Sequence, residues 1–219
     1  MTGFSQRDPR WTRNQLGTSP TLTIGQAGCL ITALASVLVD WGVNTDPGRL
    51  NRWLRDHGGY QDDCRLRFAA LAGLGADLVA LIRCRSIPAP LAAIDAHLLA
   101  DHAVIIEVNA DPGHPHASHW VRLLSPELAT DTRPDRLIMD PWRDPGDEVT
   151  SLIAAYALPT WDASRVITAA AVYGRIMIRP NEARVISFAL AGDGPVQDAP
   201  AIHKPAGLPS PMGPEPLGE

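Results

Sequence analysis

The chain lacks several features that would fix its class at once. Its 219 residues include only three cysteines, and Lys204 is its one lysine. The formal net charge is −5, so the basic footprint of a nucleic-acid-binding protein is missing. No run approaches the roughly 18 consecutive apolar residues of a membrane-spanning helix. We therefore expect neither a nucleic-acid partner nor a membrane span.

The cysteines are too few, and odd in number, for a disulfide framework. Cys29, Cys64 and Cys84 are expected as reduced thiols, the last two as packing residues. The opening residues, MTGFSQRDPRW, carry no apolar stretch behind a basic head, unlike a secretory signal. The sequence therefore predicts synthesis in the cytoplasm without a signal peptide.

What is present is enough apolar material for one domain. Hydrophobic residues make up 45% of the chain, which suits a globular protein with one sizeable core. We assign that domain to residues 1–190. Residues 191–219 form a Pro-rich tail or linker, because seven prolines in the last 25 residues prevent regular backbone hydrogen bonding. Such a tail is expected to be disordered and could tether another module.

Helical patterns dominate the first hundred residues. Apolar residues recur at spacings of three and four from Leu30 to Trp41, and Gly42 ends the pattern. In TDPGRLNRWLRDHGG, Asp46 is placed to cap a helix that begins at Pro47. Further helices are predicted over residues 65–73, 89–100 and 149–157.

Later segments read as strands, since they are short, rich in Val, Ile and Leu, and separated by Pro, Gly and Asp. They are HAVIIEVN (102–109), SHWVRLLS (118–125), DRLIMD (135–140), ITAAAVYGRIMIRP (167–180) and ARVISFALAG (183–192). Helices therefore come first and a sheet follows. The sequence predicts an α+β domain, with a helical half packed on an antiparallel sheet.

Three residues fall where nucleophilic catalysis would need them. Cys29 begins the longest predicted helix, where free backbone amides and the positive end of the helix dipole favour a thiolate. His119 opens one predicted strand, and Asp140 closes the next one. On neighbouring antiparallel strands, the start of one lies beside the end of the other. The pattern fits a thiol, a base and a group that orients the base.

A simpler interpretation exists for each residue. A cysteine in an apolar helix is most often a small core residue, and Asp-Pro most often marks a turn. The tryptophans near these motifs could be core anchors instead of cleft walls. Trp120 alternates with His119 along its strand, so we expect it to face the core, away from a cleft.

The segments FSQRDPRW, TIGQAGCLITALASVL, SHWVRLL and LIMDPW resemble a known family. They are similar to the papain-like cysteine peptidases that process bacteriocin leaders at double-glycine sites. The likeness is greatest to the stand-alone relatives in bacteria, phages and phage lysins, and it spans residues 4–178. It implies a papain-like fold in which the nucleophile helix packs on an antiparallel sheet.

The resemblance also implies roles for single residues. Cys29 matches the nucleophile, His119 the general base and acid, and Asp140 the orienting residue of a Cys-His-Asp triad. Gln6 matches the glutamine whose side-chain amide holds the oxyanion, together with the backbone N–H of Cys29. Gln26, three residues before the cysteine, is a rival for that role.

The candidate substrate-binding residues are chosen by their position near the matching motifs. Gly28, Trp11 and Trp142 stand in or beside the matching motifs and are the candidate substrate-binding residues. His114 and His116 precede the catalytic histidine candidate in HPHASHW, which could pass for a metal tract. Their Pro- and Gly-rich surroundings indicate a loop instead, so we expect no metal and no other cofactor.

Several functions stay open at this point. The first is a peptidase acting through a Cys29 acyl-enzyme on cell-wall stem peptides or on a leader peptide. The second is an amidase or acyltransferase that uses the same triad. The third is a catalytically silent papain-like module, for binding or structure, in a phage particle. Location in a phage particle, or holin-dependent release, stays open with them.

Overall fold

The computed structural model describes residues 2–62, 64–84, 87–109, 118–126, 135–158 and 160–176. Within these ranges the chain is a mixture of helices and antiparallel strands, which confirms the α+β class. The predicted tail, residues 191–219, and the strand predicted over 183–192 lie outside the described residues. No helix in the described part is long and apolar enough to cross a membrane.

The helices of the described part lie mostly before the sheet. They are α1 (Ile24–Ala27), α2 (Cys29–Asp40), α3 (Pro47–Asp56), a 3-10 helix (Phe68–Leu74), α4 (Leu91–Leu99), α5 (Leu152–Tyr156) and α6 (Ala163–Val166). The Asp46 carboxylate accepts from the Arg49 N–H at 2.8 Å and Pro47 is the first residue of α3, as predicted. Helix α2 ends beside Gly42, whose φ of +87° suits glycine.

Six strands in the described part form one antiparallel sheet. They are β1 (Ala76–Arg83), β2 (Ala103–Asn109), β3 (Ser118–Leu123), β4 (Leu137–Met139), β5 (Val149–Ser151) and β6 (Ile167–Arg175). Their order across the sheet is β1-β6-β2-β3-β4-β5. Strand β3 therefore lies between β2 and β4, with Arg122 opposite Met139 in the β3–β4 pair.

Each face of this sheet carries its own core. On one face, helices α2 and α3 pack with sheet residues such as Ile105, Ala171 and Tyr173. On the other, α4, α5 and α6 cover Val104, Ile106 and their neighbours. We call the first the nucleophile face, because α2 lies on it. Side chains alternate between the two faces along each strand, which fixes the register of the central strands.

Three local predictions differ from the structure. Residues 76–83, for which the sequence pattern predicts no element, form β1, whose pairing with β6 shifts register between Leu78 and Ala80. The helix predicted over 65–73 is a 3-10 helix that begins later and ends before Gly75, at φ +79°. The stretch 149–157 divides into strand β5 and helix α5, with Ser151 capping the helix through the Ala154 N–H.

Candidate active site

The position of Cys29 is set by the junction of two helices. Gly28 ends α1 and precedes α2, so Cys29 is the first residue of α2 and is half-buried. A Cβ at Gly28 would lie 2.5 Å from the Ile24 carbonyl oxygen, closer than atoms can approach. Glycine therefore permits the tight junction. The first N–H groups of α2 have no acceptor within their own helix and remain available at the thiol.

Gln26 stabilises this junction. Its side-chain oxygen accepts from the Thr23 N–H at 3.0 Å and from the Thr23 hydroxyl at 3.2 Å. Thr23 is the residue before α1 and Gln26 is its third residue, so the pair forms a capping box. This contact explains Gln26 without an oxyanion role.

His119 and Asp140 are brought together by the pairing of β3 and β4. His119 is the second residue of β3, and Asp140 directly follows β4. The His119 Nε2 lies 2.8 Å from the Asp140 Oδ1, and both side chains are buried. This contact leaves Nδ1 as the second nitrogen of the imidazole, and His119 and Cys29 line the same cavity.

Two further donors hold the Asp140 carboxylate. The Trp142 N–H donates to Oδ1 at 2.9 Å, and the Tyr156 hydroxyl donates to Oδ2 at 2.6 Å. The Tyr156 ring also lies beside His119, with centroids 5.9 Å apart. Tyr156 was missed in the sequence, because a tyrosine ending the short apolar run LIAAY carries no catalytic signal. Only the packing of α5 against this corner of the sheet reveals it.

These contacts shift the titration of the pair in opposite directions. Burial alone would lower the pKa of His119, but the hydrogen bond with Asp140 and the interaction with the Cys29 thiol outweigh it and raise the pKa to about 9. Burial would raise the pKa of Asp140, but hydrogen bonds from His119 and Tyr156 lower it below its usual value. Burial, with the Asp140 charge, raises the pKa of Tyr156, which keeps its hydroxyl as a donor. The arrangement favours an imidazolium beside a carboxylate.

Gln6 joins the two halves of the site. Its backbone N–H donates to the Pro141 carbonyl at 2.8 Å, directly after Asp140. Its side-chain Nε2 donates to the Gly25 carbonyl at 3.0 Å, in the helix that precedes Cys29. The side chain is buried, and its Oε1 has no partner among the described residues. An amide nitrogen carries two hydrogens, so one remains beyond the bond to Gly25, on a side chain that lines the same cavity as Cys29.

One cavity of about 1110 Å³ connects these groups. It is lined by Gln6, Cys29, His119, Trp142 and Tyr156, together with apolar side chains of the nucleophile face. Volumes of this size suit ligands with many contacts along one surface. The cavity therefore exposes the thiol and the imidazole to a common ligand.

The tryptophan predictions fare differently. Trp142 is 51% exposed and lines the cavity. Trp11 does not line it: the ring is buried in the core and its Nε1–H donates to the Ser5 carbonyl at 2.8 Å. Trp11 as a cleft wall is therefore wrong. The expectation that Trp120 faces away from the cleft is also wrong, since Trp120 lies half-buried against Phe68 on the nucleophile face and lines the cavity.

The thiols and histidines of the described ranges form no cluster of possible metal ligands. All three cysteines are free, and Cys84 is buried as predicted. Cys64 is half-buried, has a φ of +63°, and lines the cavity instead of packing in the core. Within the described ranges, no three His, Cys, Asp or Glu residues gather as metal ligands. His114 and His116 lie outside those ranges.

No family model matches the chain, and no curated protein matches it.

Proposed function

We propose that the protein is a cysteine peptidase with a papain-like fold, which hydrolyses peptide bonds through an acyl-enzyme on Cys29. The observation that carries this proposal is the buried His119–Asp140 pair, with Nε2 2.8 Å from Oδ1, which lines one cavity together with the Cys29 thiol. A base held between a nucleophile and an orienting carboxylate is the arrangement that nucleophilic catalysis requires.

The first half-reaction transfers the acyl group to sulfur. His119 takes the proton of the Cys29 thiol, and the thiolate attacks the carbonyl carbon of the scissile peptide bond. The tetrahedral intermediate collapses when the C–N bond breaks and the imidazolium gives its proton to the departing amine. The product is a thioester on Cys29, and the amine leaves the cavity.

The second half-reaction returns the thiol. His119 takes a proton from water, and the resulting hydroxide oxygen attacks the thioester carbon. The C–S bond then breaks, a carboxylic acid leaves, and the sulfur regains its proton from His119. The Asp140 carboxylate, held by Tyr156 and the Trp142 N–H, stabilises the imidazolium formed in both halves.

The oxyanion of each intermediate would lie between two donors. One is the backbone N–H of Cys29 at the start of α2, where no carbonyl of the helix accepts it. The other is the second hydrogen of the Gln6 amide, whose first goes to Gly25. Donors fixed before the reaction stabilise the developing charge without reorganisation. For the substrate we favour cell-wall stem peptides over a leader peptide.

The pairing of Cys29 with His119 can be tested without knowing the substrate. Each cysteine is alkylated with iodoacetamide between pH 5 and 9, and the rates are measured by peptide mass spectrometry. We expect Cys29 alone to react rapidly at pH 6, where isolated thiols react slowly, and His119→Ala to abolish that reactivity. Cys64 is the internal control, because it lines the same cavity outside the pair.

A silent or His119-independent Cys29 would contradict the proposal and favour a binding module. A reactive Cys29 allows the second stage, in which synthetic stem peptides are incubated with the chain. Release of a free carboxylic acid supports hydrolysis, whereas a new amide formed with an added amine indicates an acyltransferase with the same triad.

A further inference from the structure

The cavity that contains the thiol differs in charge from the rest of the chain. The chain as a whole has a formal net charge of −5. The cavity is lined by three arginines, Arg65, Arg67 and Arg83, and Glu107 is the one carboxylate among the lining residues that the structure describes. A concave surface with charge of one sign concentrates ligands of the opposite sign. The lining therefore favours an anionic ligand in an otherwise acidic protein.

Arg83 lies at the end of a row of residues that crosses four strands. Arg83 of β1 pairs with Ala169 of β6. Ala169 also pairs with Glu107 of β2, which in turn pairs with Trp120 of β3. Paired residues of an antiparallel sheet share a face, and both Trp120 and Leu81, two residues before Arg83, pack on the nucleophile face. Arg83 therefore projects from the sheet on the side where the thiol lies, and it lines the cavity.

The Arg83 guanidinium is available to a ligand. The side chain is exposed, and no hydrogen bond or ion pair joins it to any residue that the structure describes. Glu107, the acid in the same row, lies two strand spacings away, about 10 Å. A guanidinium presents five N–H donors in a planar fork that matches the two oxygens of a carboxylate. Arg83 therefore offers its full set of donors to an anion in the cavity.

Arg67 supplies a second guanidinium from the loop before the 3-10 helix. Its Nε donates to the Tyr60 carbonyl at 3.2 Å, which directs the side chain. Its two terminal nitrogens have no partner among the described residues. The next residue, Phe68, packs against Trp120 with ring centroids 5.5 Å apart, so this loop lies against the same row of the sheet. Arg67 and Arg83 therefore line one cavity from the loop and from the sheet.

We propose that Arg83 and Arg67 form a subsite for a carboxylate of the peptide substrate, several residues away from the scissile bond. This inference rests on the proposed function, because it concerns the substrate of that same cavity. Strands β1 and β3 are three spacings apart, about 14 Å, and His119 is the neighbour of Trp120 in β3. An extended peptide advances about 3.3 Å per residue, so the carboxylate lies about three to five residues from a carbonyl at Cys29.

The carboxylate has two sources in a peptide, the C-terminus and the side chain of aspartate or glutamate. Either one binds a guanidinium through two parallel N–H···O hydrogen bonds, which are stronger than bonds between neutral groups. An amide at the same place has one acceptor oxygen and no charge. The subsite therefore distinguishes a free carboxylate from the corresponding amide, whichever source supplies it.

The test measures distance from the Cys29 thiol and needs no known substrate. The full chain is alkylated at pH 6 and low ionic strength with iodoacetyl-oligoglycines of one to six residues. One series ends in a free carboxylate and a second in an amide. A third series ends in glutamate amide, which places the carboxylate on a side chain. The rates at Cys29 are measured by peptide mass spectrometry.

The dependence on length separates the subsite from the catalytic pair. Attraction to the His119 imidazolium alone would be greatest for the shortest carboxylate reagent, because the interaction of charges weakens with distance. Binding at the subsite instead gives a maximum at a length that reaches Arg83. We expect carboxylate reagents of about three to five residues to react about three- to tenfold faster than the amides of equal length.

Variants assign this maximum to its residues. Arg83→Gln should remove it, Arg67→Gln should lower it, and Arg83→Glu should make the amides of that length the faster reagents. Arg52→Gln is the matched control, because it removes the same charge from α3, outside the cavity lining. It should leave the ratio of the two rates unchanged. Thermal unfolding of each variant confirms that the fold persists.

Several outcomes would overturn the subsite. They are equal rates for carboxylates and amides beyond the shortest reagents, a maximum that persists in both Arg83→Gln and Arg67→Gln, and a maximum that disappears in Arg52→Gln. A maximum in the first series alone assigns the C-terminus, and one in the glutamate series alone assigns a side chain. A maximum in both series assigns either source.

Failure of the subsite and failure of the peptidase give different results. Alkylation requires an accessible thiol but no acyl-enzyme. A chain that shows the preference for carboxylates of that length but hydrolyses no peptide would refute the peptidase and leave the subsite standing. A chain that hydrolyses peptides without this preference would refute the subsite alone.

Discussion

The two sides of the candidate site are held in different ways. On the helical side, Cys29 owes its position mainly to the backbone of the α1–α2 junction at Gly28, and the Gln26 side chain caps the first of the two helices. On the sheet side, His119 and Asp140 are held by side-chain contacts, with Tyr156 as the outer donor. Gln6 bonds to both sides, through its backbone to Pro141 and through its side chain to Gly25.

This difference predicts two kinds of response to mutation. A change on the helical side should displace the backbone near Cys29, because close-packed backbone cannot accommodate added atoms without shifting. A change on the sheet side should leave the atoms in place and alter the charge and orientation of the imidazole. Activity, stability and titration therefore separate the two sides experimentally.

The largest expected effect comes from removing the nucleophile. Cys29→Ala should lower turnover about 10⁴-fold or more, as losing a nucleophile does in comparable enzymes. Cys29 is half-buried, so the free energy of unfolding should change by less than about 2 kcal/mol. Steady-state assays and urea unfolding measure the two quantities. If the variant unfolds and the wild-type chain has no activity, Cys29 is a core residue and not a nucleophile.

The next effect concerns the residue that joins both sides. Gln6→Ala should slow turnover about 10²- to 10³-fold, the typical cost of one oxyanion donor. Gln26→Ala is the matched control, since its side chain caps α1. It should cost about 1 kcal/mol of stability and leave turnover near the wild-type rate. The reverse ranking of the two variants would assign the oxyanion role to Gln26.

Gly28→Ala tests the backbone side alone. The new methyl would meet the Ile24 carbonyl oxygen at 2.5 Å and the Ile24 Cα at 2.9 Å, so we expect a loss of about 2 kcal/mol. Gly48→Ala in α3 is the control, because its nearest neighbour is the end of the Asn14 side chain at 3.1 Å. Thermal unfolding of both compares them. Equal stability would mean that the helix junction tolerates a side chain.

Tyr156→Phe tests the sheet side by deleting one oxygen atom. Loss of the donor to Asp140 should reduce kcat about tenfold, or about 1.4 kcal/mol, with KM unchanged. Tyr173→Phe is the control, since that hydroxyl donates to the Phe68 carbonyl at 3.1 Å, outside the triad. It should affect stability only. If kcat falls equally in Tyr156→Phe and Tyr173→Phe, the Tyr156 hydroxyl has a structural role only.

The smallest effects are in titration. Nuclear magnetic resonance of the imidazole protons should give His119 a pKa of about 9, against 6.5 for the free group. Asp140→Asn and Cys29→Ala should each lower that pKa, because each removes a partner that raises it. Since folding raises the pKa, the protonated imidazole stabilises the fold fully below pH 6.5. That contribution is lost as the pH rises through about 9. A His119 pKa near 6.5 in the wild type and in both variants would show that neither Asp140 nor Cys29 stabilises the imidazolium.

Local chemistry made the main elements predictable. The 3.6-residue period from Leu30 to Trp41 and the Asp46-Pro47 start gave helices that the structure confirms. The three Val- and Ile-rich segments gave β2, β3 and β4, and their order along the chain gave the α+β class. Strand β1 was not predictable, because its alternation of apolar and polar residues is interrupted where the register shifts between Leu78 and Ala80.

The positions of Cys29, His119 and Asp140 within their own elements follow from local signals, because helix starts and strand ends are marked in the sequence. The residues that contact them depend on the tertiary fold. The Tyr156 hydroxyl on Asp140, the buried Trp11, and the row of Arg83 and Glu107 across Ala169 depend on residues distant in sequence. Such contacts follow from strand order and helix packing, which no short stretch of sequence encodes.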